Sequence, residues 1–407
     1  MDAPFSLLIK PASADCNLRC AYCFYLEKAA LYSASAQHRM SDAVLAQLVQ
    51  SYMATPQQVY SFGWQGGEPT LMGLDFFKRV TALQQQHGRP GAVVANALQT
   101  NATLIDDAWA EYLAQFRFLV GCSLDGPATI HDRYRRNAAG APSHAETLRG
   151  IRALQAHQVE FNILTLVSQA NVRQGREVYQ YLRDEGHNYQ QFIPCVEFDA
   201  QGRLEPFAIT GAEWGRFLCD VFDAWVQADT RTISIRHHDS ILNKIVDGRI
   251  TQCTMGTQCG SYFLVEHNGD LYPCDFFVFP EYRLGNVMDP GFGWNALRQS
   301  ESWRKFSAAK ANWHADCRKC PHLALCAGDC LKHRVAGGRF DPRQLSVLCE
   351  GWQRFHTHTA AAFETLAADI RTQRRAAPAL MPPPAGDRNA PCPCGSGLKY
   401  KKCCGRQ

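Results

Sequence analysis

The sequence predicts an α/β fold: a partial (β/α)6, TIM-like barrel, then a cysteine-rich extension and a short tail with four more cysteines. Three observations carry this. Short apolar segments alternate with helical patterns from residue 5 to about residue 195. After about residue 240 the alternation gives way to short strands and turns that carry cysteines through to Cys349. Beyond a proline-rich stretch, four cysteines close the chain within a basic segment.

The expected strands are Phe5–Lys10, Gln58–Trp64, Ala92–Thr100, Arg117–Leu124, Glu160–Val167 and Asn188–Pro194. Helical spacing runs through Asp42–Met53, Leu74–His87, Asp106–Gln115, Ala145–His157 and Val172–Glu185. Repeated βα units imply a parallel sheet with helices outside it. Six units fall short of the eight that close a barrel, so one side stays open to a large substrate, and chemistry is expected at the C-terminal strand ends. Glu213–Ala228 reads as an amphipathic helix with Trp214, Phe217, Leu218, Val221, Phe222 and Trp225 on its apolar side. A long helix follows Cys349, its apolar face Trp352, Phe355, Phe363, Leu366 and Ile370; Arg371, Arg374 and Arg375 in its last turn suit the helix dipole. Residues 376–387, with Pro378, Pro382, Pro383 and Pro384, read as a semi-rigid linker.

A chain of 407 residues, 46% apolar and 20% charged, can bury a large core without disulfides. A net charge of +4 is too weak to argue for nucleic acid or a membrane surface. The start, Met1-Asp2-Ala3-Pro4 followed by the short apolar run Phe5–Ile9, lacks the form of a secretion signal. No stretch approaches the roughly 20 apolar residues of a membrane span. A cytoplasmic location is therefore expected, where 18 cysteines point to metal rather than to disulfides.

Cys16, Cys20 and Cys23 form C-x3-C-x2-C just after the first strand. Three thiolates hold three irons of a [4Fe–4S] cube and leave the fourth iron free for a substrate or cofactor. A structural cluster normally takes four ligands, so the missing one has a chemical meaning, as an open position does at a catalytic metal site. The competing reading is a zinc site or loose thiols. Here residues 5 to about 195 resemble the radical S-adenosylmethionine superfamily. The resemblance implies that the open iron chelates the amino and carboxylate groups of S-adenosylmethionine, whose one-electron cleavage yields a 5′-deoxyadenosyl radical. Gly66-Gly67-Glu68-Pro69 follows the second strand; in the family this turn holds the amino group of the cofactor. Asn101 and Ser123 end strands three and four, where polar residues bind its ribose and methionine parts, with Ser123 preferred. Tyr22 is placed to pack over the ligand. Capping of the next helix is the ordinary alternative for Asn101 and Ser123.

Eight cysteines lie between residues 253 and 349, which suits two fully ligated [4Fe–4S] clusters, with zinc binding as the other reading. The pattern resembles the SPASM extension of radical enzymes that modify peptides and proteins. By that resemblance, Cys253, Cys259, Cys274 and Cys330 hold one cluster and Cys317, Cys320, Cys326 and Cys349 the other. Spacing alone leaves other partitions open. The domain reading is thus 1–240 for the barrel, 241–375 for the extension, 376–387 for the linker and 388–407 for the tail.

Trp64-Gln65-Gly66-Gly67-Glu68-Pro69-Thr70-Leu71 and Tyr272-Pro273-Cys274-Asp275-Phe276-Phe277 are similar to segments of the anaerobic sulfatase-maturating enzymes, a likeness spanning about residues 5 to 370. It implies oxidation of a cysteine or serine in a sulfatase polypeptide or nascent chain to Cα-formylglycine. It makes Asp275 the general base that takes the thiol or hydroxyl proton once the radical has removed a Cβ hydrogen. The surplus electron leaves through an auxiliary cluster, and a flavodoxin- or ferredoxin-type donor supplies the first one. Tyr25 and Gln65 are expected to line the substrate side. Another SPASM maturase, forming thioether or carbon–carbon crosslinks, is the alternative. A non-catalytic iron–sulfur carrier would leave the open ligand position and the Gly66–Pro69 turn unexplained.

In the tail, Cys392, Cys394, Cys403 and Cys404 have C-x-C-x8-C-C spacing, which suits a tetrahedral zinc in a peptide too short for its own core. The segment resembles the SEC-C motif found at the C-terminus of the SecA translocation motor. Five basic and no acidic residues from Arg388 onward favour a surface for a protein partner, such as a translocase component, ribosome or nascent chain. The alternative is a stabilising appendage. Cys122, Cys195 and Cys219 remain as inert buried thiols, with Cys122 and Cys195 near the cofactor pocket, and His237, His238 and His267 read as surface or loop residues.

Overall fold

A computed structural model describes residues 4–32 and 37–376; residues 377–407, which hold the expected linker beyond Ala376 and the tail with the expected zinc ligands Cys392, Cys394, Cys403 and Cys404, lie outside the described residues. Six parallel strands form the frame: β1 (Ser6–Lys10), β2 (Val59–Trp64), β3 (Val93–Thr100), β4 (Leu119–Ser123), β5 (Phe161–Val167) and β6 (Tyr189–Pro194). They match the expected segments to within one or two residues at each end. Between them run α1 (Asp42–Met53), α2 (Leu74–His87), α3 (Asp107–Gln115), α4 (Ala128–Tyr134), α5 (His144–Ala156) and α6 (Gly175–Asp184). Local chemistry sets the starts: Ser41 accepts from the Val44 N–H at 3.3 Å, and Asp106 from the Trp109 N–H at 2.9 Å.

The sheet continues beyond the six strands. After α7 (Gly211–Ala228), the short β7 (Ser234–Ile235) pairs with β6, and α8 (Arg236–Asp247) follows, spanning residue 240. The next strand, β8 (Tyr262–Glu266), lies parallel to β1, with Ser6 opposite Tyr262 and Lys10 opposite Glu266. Two antiparallel strands, β9 (Asp270–Tyr272) and β10 (Gly285–Asn286), complete a ten-stranded sheet in the order β10-β9-β8-β1-β2-β3-β4-β5-β6-β7. The extension is therefore stitched onto the first strand of the barrel.

Alternation along each strand sends Leu7, Ile9, Phe62, Trp64, Leu98 and Val120 toward the helices, where they pack with Leu45, Leu48, Phe77 and Leu113 in the main core. A second core joins α7 to the C-terminal helix (Cys349–Ala376). Trp214 meets Trp352 at 5.6 Å between ring centroids, and Phe222 meets Phe355 at 6.2 Å. Glycines permit this crossing. A Cβ on Gly215 would fall 2.7 Å from the Gly351 Cα, and one on Gly351 would fall 2.3 Å from the Gly211 carbonyl oxygen. The helix that begins at Cys349 is thereby held against the barrel. Thr210 and Glu213 close a capping box at the start of α7, and Gln169 donates to the same carboxylate at 2.9 Å.

His237 and His238 correct an expectation. They lie on α8, and His238 is wholly buried in the second core, stacked on Phe355 and 4.6 Å from the Trp225 ring. Burial drives the His238 pKa well below 6.5 and lowers that of His237 to about 4. The unfolded chain accepts protons that these folded imidazoles refuse, so stability falls as pH drops below about 6.5 and keeps falling toward the depressed values. The urea midpoint of the cluster-loaded protein is expected to fall between about pH 7 and 5. His238→Phe, which keeps the ring contacts and removes the titration, should flatten that slope; equal slopes in both proteins would contradict the assignment.

Candidate active site and cysteine clusters

The loop from β1 carries Cys16, Cys20 and Cys23, and the turn after β2 lies directly on it. The Gly67 N–H donates to the Ser13 carbonyl at 2.7 Å, and the Glu68 N–H to the Asp15 carbonyl at 2.8 Å. A Cβ on Gly67 would sit 2.1 Å from the Asp15 oxygen, and Gly66 has φ +133°. The two glycines are thus required by the approach of the cysteine loop itself. The Glu68 side chain is buried and accepts from the Thr70 N–H (3.0 Å), the Thr70 hydroxyl (2.6 Å), the Thr100 hydroxyl (2.8 Å) and the Asn101 N–H (2.8 Å). It fastens the end of β3 to the turn. Burial raises its pKa against the pull of those donors.

Asn101 faces the same loop, donating to Asn17 Oδ1 at 2.8 Å with Cys16 Sγ 3.7 Å away. Its own Oδ1 accepts from Thr103. Ser123, nearly buried at the end of β4, has no side-chain partner among the described residues, so its hydroxyl remains available. The Tyr22 hydroxyl is committed to Asp125, and Asp125 also accepts from Arg135 Nε at 3.0 Å and from the Leu166 N–H at 3.0 Å. Burial opposes the charge on Arg135, and Asp125, with Tyr22 and Cys20, more than offsets this. Asp125 and Arg135 were missed as site residues. The only signal was the Leu124-Asp125-Gly126-Pro127 turn at a strand end. Cys195, just past β6, packs with Leu18, Cys20 and Tyr22.

Burial, with the Glu68 carboxylate nearby, pushes the Cys16 thiol up to about 12; burial pushes Cys20 up to about 11 against the pull of Arg135. Both stay protonated unless a cation displaces the proton, as iron does. The three sulfurs lie within each other's electrostatic reach. They fit a cube held by three ligands.

The eight cysteines between residues 253 and 349 fall into two groups. Cys253 lies within electrostatic reach of Cys259 and Cys330, and Cys330 of Cys274. Cys317, Cys320, Cys326 and Cys349 line one cavity together with His322 and His356. The buried Nε2 of His356 has no partner among the described residues, and burial lowers its pKa to about 3. Four cysteines around a cavity, with an unpartnered imidazole nitrogen on the wall, fit a sulfide-containing cluster.

Asp275 follows Cys274 directly. Its Oδ1 accepts from the Tyr262 hydroxyl at 2.9 Å, and that hydroxyl lies 3.1 Å from Cys274 Sγ. The neighbouring Phe276 ring meets Phe24 at 5.0 Å, and the Lys332 ammonium lies 4.4 Å from Phe276 and 4.8 Å from Phe24 while pairing with Glu197. Asp275 lies within electrostatic reach of Tyr25, two residues after Cys23. The fold thus brings the Cys274–Phe276 segment of the extension against Phe24, the residue after Cys23. Tyr25 is buried, with its hydroxyl on Glu266 and the Lys10 ammonium 4.4 Å from its ring. Both its hydroxyl and its ring are thereby engaged within the protein. Gln65 is half-buried after β2, its N–H bonded to the Ile9 carbonyl at 2.8 Å.

Residues 11–182 match the Radical SAM superfamily, residues 246–321 the SPASM iron–sulfur cluster-binding domain, and residues 388–406 the SEC-C motif. The fold and site therefore define a radical S-adenosylmethionine protein with an iron–sulfur extension. A serine-type anaerobic sulfatase-maturating enzyme of Bacteroides thetaiotaomicron is 35% identical, the alignment covering 91% of this chain and 93% of that protein. A cysteine-type enzyme of Clostridium perfringens is 34% identical, over 90% of this chain and all of that one. Native anSMEcpe with bound AdoMet and the Cp18Cys peptide superposes with a TM-score of 0.84 at 34% identity, covering 90% of this chain and 100% of that one. The chain belongs to the anaerobic sulfatase-maturating enzyme family. No helix among the described residues is long and apolar enough to cross a membrane.

Glu68→Ala leaves the donors of Thr70, Thr100 and Asn101 without their acceptor. It is expected to cost about 3 kcal/mol of stability and to lower the iron retained by the Cys16–Cys23 loop. Denaturant titration and iron analysis check this; parental values for both would sink the scaffold role.

Proposed function

We propose that the chain oxidises a cysteine or serine side chain of a sulfatase polypeptide to Cα-formylglycine. The observation that carries the reading is the Asp275 carboxylate, which accepts from the Tyr262 hydroxyl beside Cys274 and lies within electrostatic reach of Tyr25, two residues after Cys23. The relatives named as sulfatase-maturating enzymes of both the serine and the cysteine type support the same substrate class.

In this reading S-adenosylmethionine and three [4Fe–4S] clusters, when bound, supply one-electron chemistry: an incoming electron, a deoxyadenosyl radical that removes a Cβ hydrogen, and an acceptor for the electron the substrate releases. The chain's own residues do the rest. Cys16, Cys20 and Cys23 hold the cluster with the open iron. Gly66, Gly67, Glu68, Asn101, Ser123 and Tyr22 shape the cofactor's seat, with Ser123 offering the free hydroxyl. Cys253, Cys259, Cys274 and Cys330 hold one auxiliary cluster, and Cys317, Cys320, Cys326 and Cys349 the other. Tyr25 and Gln65 wall the substrate side. Asp275 takes the proton from the thiol or hydroxyl as the carbon–heteroatom double bond forms.

The division into residues 1–240, 241–375, 376–387 and 388–407 describes binding duties rather than separable bodies, since β8 joins β1. The SEC-C match over residues 388–406 supports a zinc on Cys392, Cys394, Cys403 and Cys404 and a docking role for the basic tail. The reaction needs a low-potential donor of flavodoxin or ferredoxin type, and a cytoplasmic setting suits its thiols.

Anaerobic incubation with a sulfatase-derived peptide containing Cys-x-Pro-x-Arg, or its serine version, should give the aldehyde by mass spectrometry. Steady 5′-deoxyadenosine with an unchanged peptide would sink the sulfatase reading. Asp275→Asn should leave cofactor cleavage nearly intact and cut aldehyde formation by about 10²-fold or more; full product from that variant would contradict its role.

A further inference from the structure

Two cations are buried between the cysteine groups of the extension. Lys310 caps the helix Glu301–Ala309 and is 1% exposed. Its ammonium donates to the Thr254 carbonyl at 3.0 Å and to the Asp329 carbonyl at 2.5 Å. Thr254 follows Cys253 and Asp329 precedes Cys330, so one ammonium ties together two cysteine loops far apart in the chain. The same ammonium lies within electrostatic reach of Cys253, Cys259 and Cys330. Arg334, also 1% exposed, donates to the Lys310 carbonyl at 2.9 Å and to the carbonyls of Gly328, Ala327 and Pro342. Its charge reaches Cys259, Cys317 and Cys330, so it stands between the two groups.

Among the described residues neither cation forms an ion pair with a carboxylate. The nearby Asp329 is taken up by His333 at 2.8 Å and Ser346 at 2.7 Å. The Asp329 charge still acts on Arg334; Lys310 is paired with no carboxylate among the described residues, and a buried cation of that kind is costly and is retained where an anion meets it. Four thiolates outweigh the charge of an iron–sulfide core, so a cluster on Cys253, Cys259, Cys274 and Cys330 is that anion, and it becomes more negative on reduction.

We propose that Lys310 is a positioning residue whose charge raises the reduction potential of the cluster on Cys253, Cys259, Cys274 and Cys330, making it the acceptor for the substrate's electron. The inference rests on the cluster assignment given under Proposed function. The balance is closed: the substrate gives a hydrogen atom to the radical, a proton to Asp275 and one electron to this cluster, as a carbon–sulfur or carbon–oxygen double bond forms.

Redox titration of the anaerobically reconstituted full chain, followed by electron paramagnetic resonance, tests this. Lys310→Met should lower the electron affinity of one auxiliary cluster at least tenfold, about 59 mV for a one-electron couple, with iron and sulfide content unchanged. Lys310→Arg should restore most of the shift. Lys310→Gln, which keeps a donor without the charge, should behave as the methionine variant does; it separates charge from loop tethering. An unmoved potential in the iron-replete Met or Gln variant would overturn the proposal. So would the same downward shift in Lys310→Arg. Failure of the underlying reading looks different: the parent chain would then hold no auxiliary iron at all.

Discussion

The backbone of the Gly66–Glu68 turn lies against Ser13–Asp15 with no space for one additional carbon atom. Everything chemical in the barrel hangs on that contact. It fixes the height of the three-cysteine loop above the strand ends. The Glu68 carboxylate beneath it locks β3 into the same arrangement through Thr100 and Asn101. A cluster ligand on a free loop would wander; here the loop is clamped by backbone hydrogen bonds from one side and by Asn101 from the other. The glycines therefore serve the cysteine loop by letting one backbone rest on another.

The second organising fact is where the extension enters the sheet. β8 runs beside β1, and its continuation through β9 delivers Cys274 and Asp275. The carboxylate and the cysteine loop thus follow β9 and β1, the two strands that flank β8 in one sheet. Tyr262, at the start of β8, both orients Asp275 and touches Cys274. Proton transfer and hydrogen abstraction at one substrate carbon require that kind of fixed spacing, which paired strands hold better than a loop.

Much of the barrel was legible in the sequence because each βα unit writes its period plainly. Asp42–Met53 and Leu74–His87 form as helices over the expected residues. What the periodicity missed has physical reasons. Tyr262–Glu266 is a short apolar run with no following helix, so nothing marked it as the neighbour of β1. The α8 pattern hid behind three polar ring-bearing and charged residues at its start, and His238 looks like a surface group until Trp225 and Phe355 close over it. The cysteines announced themselves by spacing. Lys310, Arg334 and His356 did not, because a basic residue acquires its meaning from the sulfurs around it, and that neighbourhood exists only after folding. Asp125 stands in the turn after β4, yet its partners Tyr22 and Arg135 come from other segments.

The pairing of β8 with β1 also bears on how the molecule can be divided. A fragment ending near residue 240 would present the bare flank of β1, with its N–H and carbonyl groups unpaired and Phe5, Leu7 and Ile9 deprived of Phe263 and Val265. Such a flank is a template for strand addition between molecules. Modular as the two halves look in one dimension, in three they share a seam, and the cysteine loop of the barrel and the Cys274–Asp275 segment of the extension are inherited together or not at all.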